Sequence, residues 1–239
     1  MEIYLVIIFI LIFNFLILFN FDRLSKISLF LDNPDGKLKK HRHPISLLGG
    51  LIILLNLYLI IFSFKLLNLD NLIFTGEFLY LVILLSTFFY IVGAVDDIKN
   101  LSPRLKLFFI TLSFLAVVFF FPDIKLELIK ITFLKKTYYF NNFSVIFLLF
   151  SFLLLSNAMN MFDGINLQLI FFSIFIFVVF IIKSFLPFFF LTLTISLLIL
   201  GVLNFKNKVF LGDGGCYLLS SIIGCTFIYQ YKYLDNYLY

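Results

Sequence analysis

The chain has 239 residues, of which 63% are hydrophobic and only 13% charged, with a formal net charge of +5 and a mean hydropathy of +1.13. Apolar runs of about 20 residues recur from end to end, which excludes a soluble domain, and they are too long and uniform for the strands of a membrane β-barrel. The composition therefore predicts an all-α, multi-pass transmembrane bundle that forms a single domain over residues 1–239, with no nucleic-acid partner.

The apolar runs predict about eight membrane spans. The first run lacks a basic N-terminal region and a small-residue cleavage site, so we expect a retained span rather than a signal peptide. Cys216 and Cys225 fall in apolar or rim positions and are expected to be free thiols. The predicted spans cover residues 3–21, 47–64, 77–95, 107–121, 143–156, 169–182, 188–205 and 216–231.

Residues 122–142, between the fourth and fifth spans, have a different pattern. Ile124, Leu126 and Leu128 alternate with Lys125 and Glu127. A period of two residues is typical of a strand, so the pattern predicts a small extracytoplasmic hairpin.

Alternation of eight spans places four polar segments on one face of the membrane: residues 22–46, 96–106, 157–168 and 204–215. Eleven of the eighteen Lys and Arg residues lie in these segments. The positive-inside rule then makes this face cytoplasmic, with both chain termini on the other side.

The second segment carries adjacent carboxylates, Asp96 and Asp97, directly after an apolar run. An ionised Asp at the centre of a span costs about 3 kcal/mol, so the pair is expected at the membrane rim or in a wet cavity. Lys99, Arg104 and Lys106 follow at once. The segment therefore suits a divalent metal together with phosphate-binding cations, and the alternative is a short loop that happens to be charged.

The first segment combines carboxylates with clustered Lys, Arg and His, and Gly49-Gly50 follows shortly after it. Such clusters suit a polyanionic phosphate substrate, and Gly-Gly permits close backbone approach. The alternative is a basic patch on anionic lipid, with Gly-Gly for helix packing.

The other two segments are rich in amides and glycine. Asn157 and Asn160 are three residues apart, so at a helix end they share a face, and Asp163 follows one step further. This arrangement is typical of a sugar or metal site, although helix capping and turn formation use the same residue types. The fourth segment surrounds Asp213 with Gly212, Gly214 and Gly215, which would also suit a plain tight turn.

In their order and common face, the four segments resemble the motifs of the polyprenyl-phosphate N-acetylhexosamine-1-phosphate transferases (glycosyltransferase 4 type). This family includes the initiating enzymes of O-antigen and teichoic acid synthesis and phospho-MurNAc-pentapeptide translocase. The resemblance covers about residues 1–230. Asn166, where the translocase branch typically has Asp, favours the O-antigen or teichoic acid branch. The matching elements are Asp-x-Pro with basic residues, a His and Gly-Gly (residues 32–50), Asp-Asp with Leu-Ser-Pro and Lys (96–106), Asn-x-x-Asn-x-x-Asp-Gly-x-Asn (157–166) and Gly-Asp-x-Gly (212–215).

The resemblance implies transfer of N-acetylhexosamine 1-phosphate from a UDP-N-acetylhexosamine to polyprenyl (undecaprenyl) phosphate, with release of UMP and with Mg²⁺ or Mn²⁺ as cofactor. The reaction would be the first membrane step of cell-envelope polysaccharide synthesis, in the bacterial cytoplasmic (inner) membrane with the active site facing the cytoplasm. A homodimer is left open. The implied residues are, for catalysis, Asp96, Asp97, Asp163 and Lys106; for substrate binding, Asp32, Lys37, Lys39, Lys40, His41, Asn157, Asn160, Asn166 and Gly212; and for metal binding, Asp213, Asp97 and Asn160.

The sequence departs from the family pattern at three points. Leu167-Gln168 stands where many members have Gly-Leu, and Cys216 stands where many have Ser. The family also has a His-x-His loop after a ninth span, which is absent before Tyr239, so we expect a C-terminally truncated chain. Two other functions stay open: an inactive paralogue or scaffold, and a cation-binding transporter, which the nearly uncharged spans and the lack of an internal repeat disfavour.

Overall fold

The computed structural model describes residues 2–27, 31–32, 43–69, 76–131, 136–140, 143–183 and 186–233. Within these ranges the chain forms eight α-helices and two small antiparallel sheets. The strands are β1 (Leu31–Asp32) paired with β2 (Ile45–Ser46), and β3 (Leu128–Ile131) paired with β4 (Lys136–Tyr139). The helices are α1 (Glu2–Ile27), α2 (Gly49–Leu66), α3 (Gly76–Lys99), α4 (Pro103–Phe120), α5 (Ser144–Phe162), α6 (Gln168–Ile182), α7 (Pro187–Phe205) and α8 (Gly212–Tyr233).

Six of the helices in the described ranges, α1 to α5 and α7, are long and apolar enough to cross a membrane. Helix α6 is the most apolar of the described helices but has only 15 residues. Helix α8 has 22 residues and a higher share of polar side chains. The predicted all-α multi-pass fold is confirmed, and the chain is a multi-pass membrane protein.

Helix α8 lies in the middle of the bundle, packed against α3, α5 and α2. Its buried hydroxyls reach neighbouring helices. Ser220 Oγ lies 2.9 Å from Ser156 Oγ on α5, and Ser221 Oγ donates to Ser86 Oγ on α3 at 2.9 Å. Because an unpaired hydroxyl is costly in an apolar interior, these pairs allow a moderately polar helix to occupy the core.

A second buried polar cluster joins α1, α2 and α7. Asn14 Nδ2 donates to Asn56 Oδ1 at 2.6 Å, and Asn56 Nδ2 donates to Asn14 Oδ1 at 3.1 Å. Ser196 Oγ also donates to Asn56 Oδ1, at 2.9 Å. All three side chains are buried. In a bilayer, apolar side chains gain little by leaving lipid for a neighbouring helix. Hydrogen bonds between amide and hydroxyl side chains therefore help to hold membrane helices together.

The N-terminal end of α8 is held by close backbone contacts with α2 and α3. The N–H of Gly50 donates to Leu211 O at 3.1 Å. A Cβ on Gly50 would lie 2.4 Å from Gly215 N, and a Cβ on Gly93 would lie 2.5 Å from Asp213 O. The Gly-Gly pair at the start of α2 therefore serves helix packing, which is one of its two interpretations from sequence.

The helices extend further than the apolar runs predict. Helix α3 continues through Asp96 and Asp97 to Lys99, and α4 begins at Pro103, so only residues 100–102 connect them. Helix α8 begins at Gly212, which makes the predicted Gly-rich loop its first turn. The prediction from hydropathy fell short because a helix ends where its backbone hydrogen bonds end and not where its apolar residues end.

A hairpin occupies the stretch between α4 and α5, with Leu128 opposite Tyr139. The backbone N–H of Lys130 donates to Tyr231 Oη at 2.7 Å. This hydrogen bond ties β3 to the C-terminal end of α8, at the opposite end of the bundle from Gly212.

Candidate active site

A cavity of about 1390 Å³ lies at the end of the bundle where α3 and α5 end and α4 and α8 begin. Residues from all four polar segments contribute to its wall, as expected if the segments share one face. Its polar and charged lining residues are Asp32, His43, Asp96, Asp97, Asn100, Lys106, Asn160, Asp163, Asn166, Asn204, Lys206, Asn207, Asp213 and Cys216.

Asp97 connects the end of α3 to the beginning of α8. Its Oδ1 accepts the backbone N–H of Asp213 at 2.9 Å, and its Oδ2 accepts that of Gly214 at 3.1 Å. The first turn of a helix has unpaired N–H groups and a partial positive charge, so Asp97 caps α8 from another helix. Gly212, which also lines the cavity, has φ +68°, and a Cβ there would lie 2.5 Å from Asp97 Oδ2.

Lys106 on α4 bridges two of the predicted carboxylates. Its Nζ forms ion pairs with Asp96 Oδ2 and with Asp213 Oδ2, the latter at 3.2 Å. Asp96 is buried, and its Oδ1 accepts the backbone N–H of Leu101 at 2.7 Å. One cation therefore holds carboxylates from α3 and α8 together, in a place where their mutual repulsion would otherwise separate them.

Asp163 follows the last residue of α5 and faces the same cavity. The Cys216 thiol donates to Asp163 Oδ2 at a sulfur-to-oxygen distance of 3.6 Å. Burial raises the pKa of Asp163 to about 7, with the Cys216 hydrogen bond opposing the rise and repulsion from Asp213 and Asp97 adding to it. The carboxyl is therefore only partly ionised near neutral pH. Cys216 and Cys225 are both free, as predicted.

The three predicted asparagines have different surroundings. The Nδ2 atom of Asn160 is buried and has no hydrogen-bond partner among the described residues, so a ligand oxygen could satisfy it. Asn166 Nδ2 donates to Asn204 O at 3.1 Å and to Asn207 Oδ1 at 2.5 Å, which fastens the α5–α6 turn to the end of α7. Asn157 is exposed and does not line the cavity.

The described residues include only part of the first predicted segment. Asp32, on β1, and His43, just before β2, line the cavity. Backbone pairing continues from β2 into the segment before α8, because the N–H of Phe210 donates to Ser46 O at 2.8 Å. The predicted substrate-binding residues Lys37, Lys39, Lys40 and His41 lie outside the described residues.

Several polar lining residues were not among the predicted site residues: His43, Asn100, Asn204, Lys206, Asn207 and Cys216. His43 belongs to the same basic cluster as His41. The sequence therefore predicted the correct segment, but it gave His41 and not His43 as the site residue. Asn204 is buried, and it accepts the N–H of Leu167 at 2.7 Å and donates to Val209 O at 2.8 Å. Its only sign in the sequence is an amide at the end of an apolar span.

Comparison with known proteins identifies the family. A family model described as glycosyl transferase family 4 matches residues 79–231, which extend from α3 to α8 and contain Asp96, Lys106, Asp163 and Asp213. The β1–β2 segment with Asp32 lies before the match. No curated protein matches the chain. Because the family model covers more than half of the 239 residues, the chain belongs to glycosyl transferase family 4.

Proposed function

We propose that the chain transfers N-acetylhexosamine 1-phosphate from a UDP-N-acetylhexosamine to polyprenyl (undecaprenyl) phosphate and releases UMP. One observation carries the proposal: Asp97, Asp163 and Asp213, from three parts of the chain, meet Lys106 in a single cavity at the end of a membrane bundle. A water-soluble nucleotide sugar and the phosphate of a membrane lipid could both reach such a place.

In the proposed reaction, an oxygen of the acceptor phosphate bonds to the sugar-bearing phosphorus of the UDP-sugar. The bond from that phosphorus to the bridging oxygen breaks, and the bridging oxygen leaves with UMP. A phosphate monoester has a second pKa near 6, so the acceptor is largely dianionic at neutral pH. Asp163, with a pKa of about 7, is suited to accept the proton that a minority of acceptors retain.

The main obstacle to this reaction is repulsion between two anionic phosphates. Lys106 already lies between Asp96 and Asp213, where its charge would offset that of the substrates. Positioning and charge neutralisation are the principal means by which proteins catalyse phosphoryl transfer. Leu105 and Phe108, close to Lys106 on α4, are exposed on the apolar surface, which supports entry of the isoprenoid chain from the bilayer.

The donor set of the cavity fits Mg²⁺ or Mn²⁺. The described residues contain no group of three or more His, Cys, Asp or Glu side chains placed to hold a metal. Mg²⁺ is usually held by one or two carboxylates together with substrate phosphates, so a site with fewer than three protein carboxylates suits it. We propose that Asp213 and Asp97, with the amide oxygen of Asn160, hold the metal, which would neutralise the diphosphate when bound. The buried Nδ2 of Asn160 would then donate to a phosphate or sugar oxygen.

We further propose that the cavity faces the cytoplasm in the cytoplasmic membrane of a bacterium and that the reaction initiates a cell-envelope polysaccharide. The proposal is supported by the four predicted segments that contribute to the cavity, which contain eleven of the eighteen Lys and Arg residues.

The direct test uses the purified chain in detergent with radiolabelled UDP-N-acetylglucosamine or UDP-N-acetylgalactosamine, undecaprenyl phosphate and Mg²⁺. We expect labelled lipid and equimolar UMP, loss of both in EDTA, and recovery with Mn²⁺. For substitutions of Asp97 or Asp213 in this assay, Asp22→Asn is the matched control. Asp22 is an exposed carboxylate that pairs with Lys208 at 2.6 Å and does not line the cavity. Product formation that is equal with and without EDTA would refute the metal assignment. Absence of lipid product with every UDP-N-acetylhexosamine would refute the transferase.

A further inference from the structure

Lys106 is the ammonium group that links carboxylates of the candidate active site. It lies on α4, and its Nζ forms ion pairs with Asp96 Oδ2 and Asp213 Oδ2. Lys206, the other lysine in the described wall of the cavity, forms no ion pair with a carboxylate of the described residues. Lys106 is therefore the counter-ion that the described part of the chain provides for this acidic site.

The two ion pairs of Lys106 differ in how easily they can be broken. The Asp96 side chain is 3% exposed, so separating it from Lys106 would leave a buried charge without its partner, which is strongly destabilising. The Asp213 side chain is 26% exposed and that of Lys106 is 28% exposed. An ion pair that water can reach contributes less to stability. Lys106 can therefore release Asp213 at a small cost and remain paired with Asp96.

The contact with Lys106 affects one of the two carboxylates that we assign to the metal. Both oxygens of Asp97 accept N–H groups of α8, at 2.9 and 3.1 Å. Oδ2 of Asp213, in contrast, lies 3.2 Å from the Lys106 ammonium. An ammonium and a divalent cation on one carboxylate repel each other at this range. Asp213 therefore pairs with one or the other, unless further negative charge enters the cavity.

We propose that Lys106 competes with the divalent cation for Asp213, so that the cation binds weakly alone and tightly only with the diphosphate of a nucleotide sugar. The diphosphate supplies the negative charge that accommodates both cations. Lys106, still paired with Asp96, has N–H donors left for a phosphate oxygen. The donor substrate that the site recognises is then the complex of metal and nucleotide sugar. This inference rests on the assignment of Asp213 to the metal in the proposed function.

Binding of Mn²⁺ to the purified full chain in detergent tests the competition without any transfer reaction. Electron paramagnetic resonance measures the free Mn²⁺, with neither nucleotide nor acceptor lipid present. We expect Lys106→Gln to bind Mn²⁺ at least about tenfold more tightly than the unmodified chain, the factor for one hydrogen bond to a charged group. Lys206→Gln is the matched control, because it removes a lining ammonium that pairs with no described carboxylate. It should change the affinity about threefold or less, as expected for an exposed charge.

Addition of UDP tests the role of the diphosphate. After correction for the Mn²⁺ that UDP binds without protein, UDP should raise the Mn²⁺ affinity of the unmodified chain more than that of Lys106→Gln. The reason is that the variant has no ammonium for the diphosphate to draw away from Asp213. Uridine, which has no phosphate, should leave the Mn²⁺ affinity of both chains unchanged.

A second set of variants allows for the buried charge that Lys106→Gln leaves on Asp96. Asp96→Asn removes that charge, and adding Lys106→Gln to this variant should again tighten Mn²⁺ binding about tenfold. Asp213→Asn should abolish binding. A normal melting temperature, from a thiol-reactive dye that reports exposure of Cys216 and Cys225, shows that a variant is folded.

The outcomes separate the competition from the proposed function. Equal Mn²⁺ affinity with and without Lys106 in folded chains, an equal effect of Lys206→Gln, or an equal gain from UDP would overturn the competition. If Asp213→Asn still abolishes binding in that case, the metal assignment stands. Absence of Mn²⁺ binding by every chain, even with UDP, would overturn both. Transferase activity is not measured, so a failure of the transfer reaction leaves these outcomes unaltered.

Discussion

Asp97 has a structural role that is separable from any contact with substrate. Both of its oxygens accept N–H groups of the first turn of α8, the turn that carries Asp213. A charged acceptor at the positive end of a helix stabilises that end. The same side chain therefore determines where α8 begins and how far Asp213 lies from α3.

This dual role predicts different outcomes for two isosteric substitutions. Asp97→Asn and Asp213→Asn should each lower turnover at least 10²-fold, the scale of losing one major electrostatic element. Asp97→Asn should lower the melting temperature more than Asp213→Asn does, because an amide has a single acceptor oxygen for two N–H donors. Transfer assays and thiol-reactive dye melts measure the two effects. Equal melting temperatures for the two variants would contradict the capping role.

Cys216 donates to Asp163 where no other donor to that carboxylate is seen among the described residues. We expect Cys216→Ser to retain activity, because a hydroxyl can make the same hydrogen bond. Cys216→Ala should reduce turnover roughly threefold to tenfold, the range for one ordinary hydrogen bond. The steady-state kcat of the two folded variants is the measurement, and identical values would show that the thiol does not position Asp163.

Among the helices, the contact of α2 with the beginning of α8 tolerates no side chain. A Cβ on Gly50 would lie 2.4 Å from the backbone nitrogen of Gly215, whereas a Cβ on Gly164 would have its nearest neighbour, Met161 O, at 4.0 Å. Gly50→Ala should therefore cost at least about 1–3 kcal/mol, the usual range for overpacking, while Gly164→Ala should be nearly neutral. Melting temperatures of the two variants, measured with a thiol-reactive dye, test this prediction. An unchanged melting temperature for Gly50→Ala would contradict the close contact between α2 and α8.

The amide cluster between α1, α2 and α7 gives a second prediction for the helices. Asn56→Ala removes the acceptor that Asn14 and Ser196 share and the donor to Asn14 Oδ1. Asn14 and Ser196 then keep only bonds within their own helices, to Ile10 O and Thr192 O. We expect a loss of about 1–2 kcal/mol, at the upper end for polar contacts between membrane helices. Asn20→Ala is the control, because Asn20 is exposed and bonds Leu16 O of its own helix at 2.9 Å. Equal melting temperatures would show that the cluster adds no stability.

Across the whole molecule, the candidate active site and the β3–β4 hairpin lie at opposite ends of the bundle, so the orientation of the chain in the membrane assigns each to one side. In a chain without its native cysteines, Asn100→Cys at the candidate active site should react with a membrane-impermeant thiol reagent only after cells are permeabilised. Thr137→Cys, on β4, should react in intact cells. Both positions are exposed, so burial cannot explain a difference. Labelling of both in intact cells would contradict the proposed cytoplasmic face.

The lengths and order of the apolar runs are enough to predict the class of fold and the region of the site. In runs long enough to span a bilayer, the backbone N–H and C=O groups can all be hydrogen-bonded only in helices or closed barrels. The uniformly apolar character of the runs excludes the barrel. The cost of burying carboxylates in lipid restricts Asp96, Asp97, Asp163 and Asp213 to span ends, and alternation of spans brings those ends to one face. The cavity that they share in the structure agrees with this reasoning.

Which side chains meet depends on how the helices pack against one another. Lys106 and Asp213 are 107 residues apart, and nothing in local sequence predicts that their helices present them to each other. Asn157 and Asn160 lie within one turn of α5, yet only Asn160 faces the cavity, because the packing of α5 against its neighbours selects which part of the turn is turned inward. The capping of α8 by Asp97 depends likewise on the close approach permitted by Gly93, since contacts between distant segments arise only when the helices have packed.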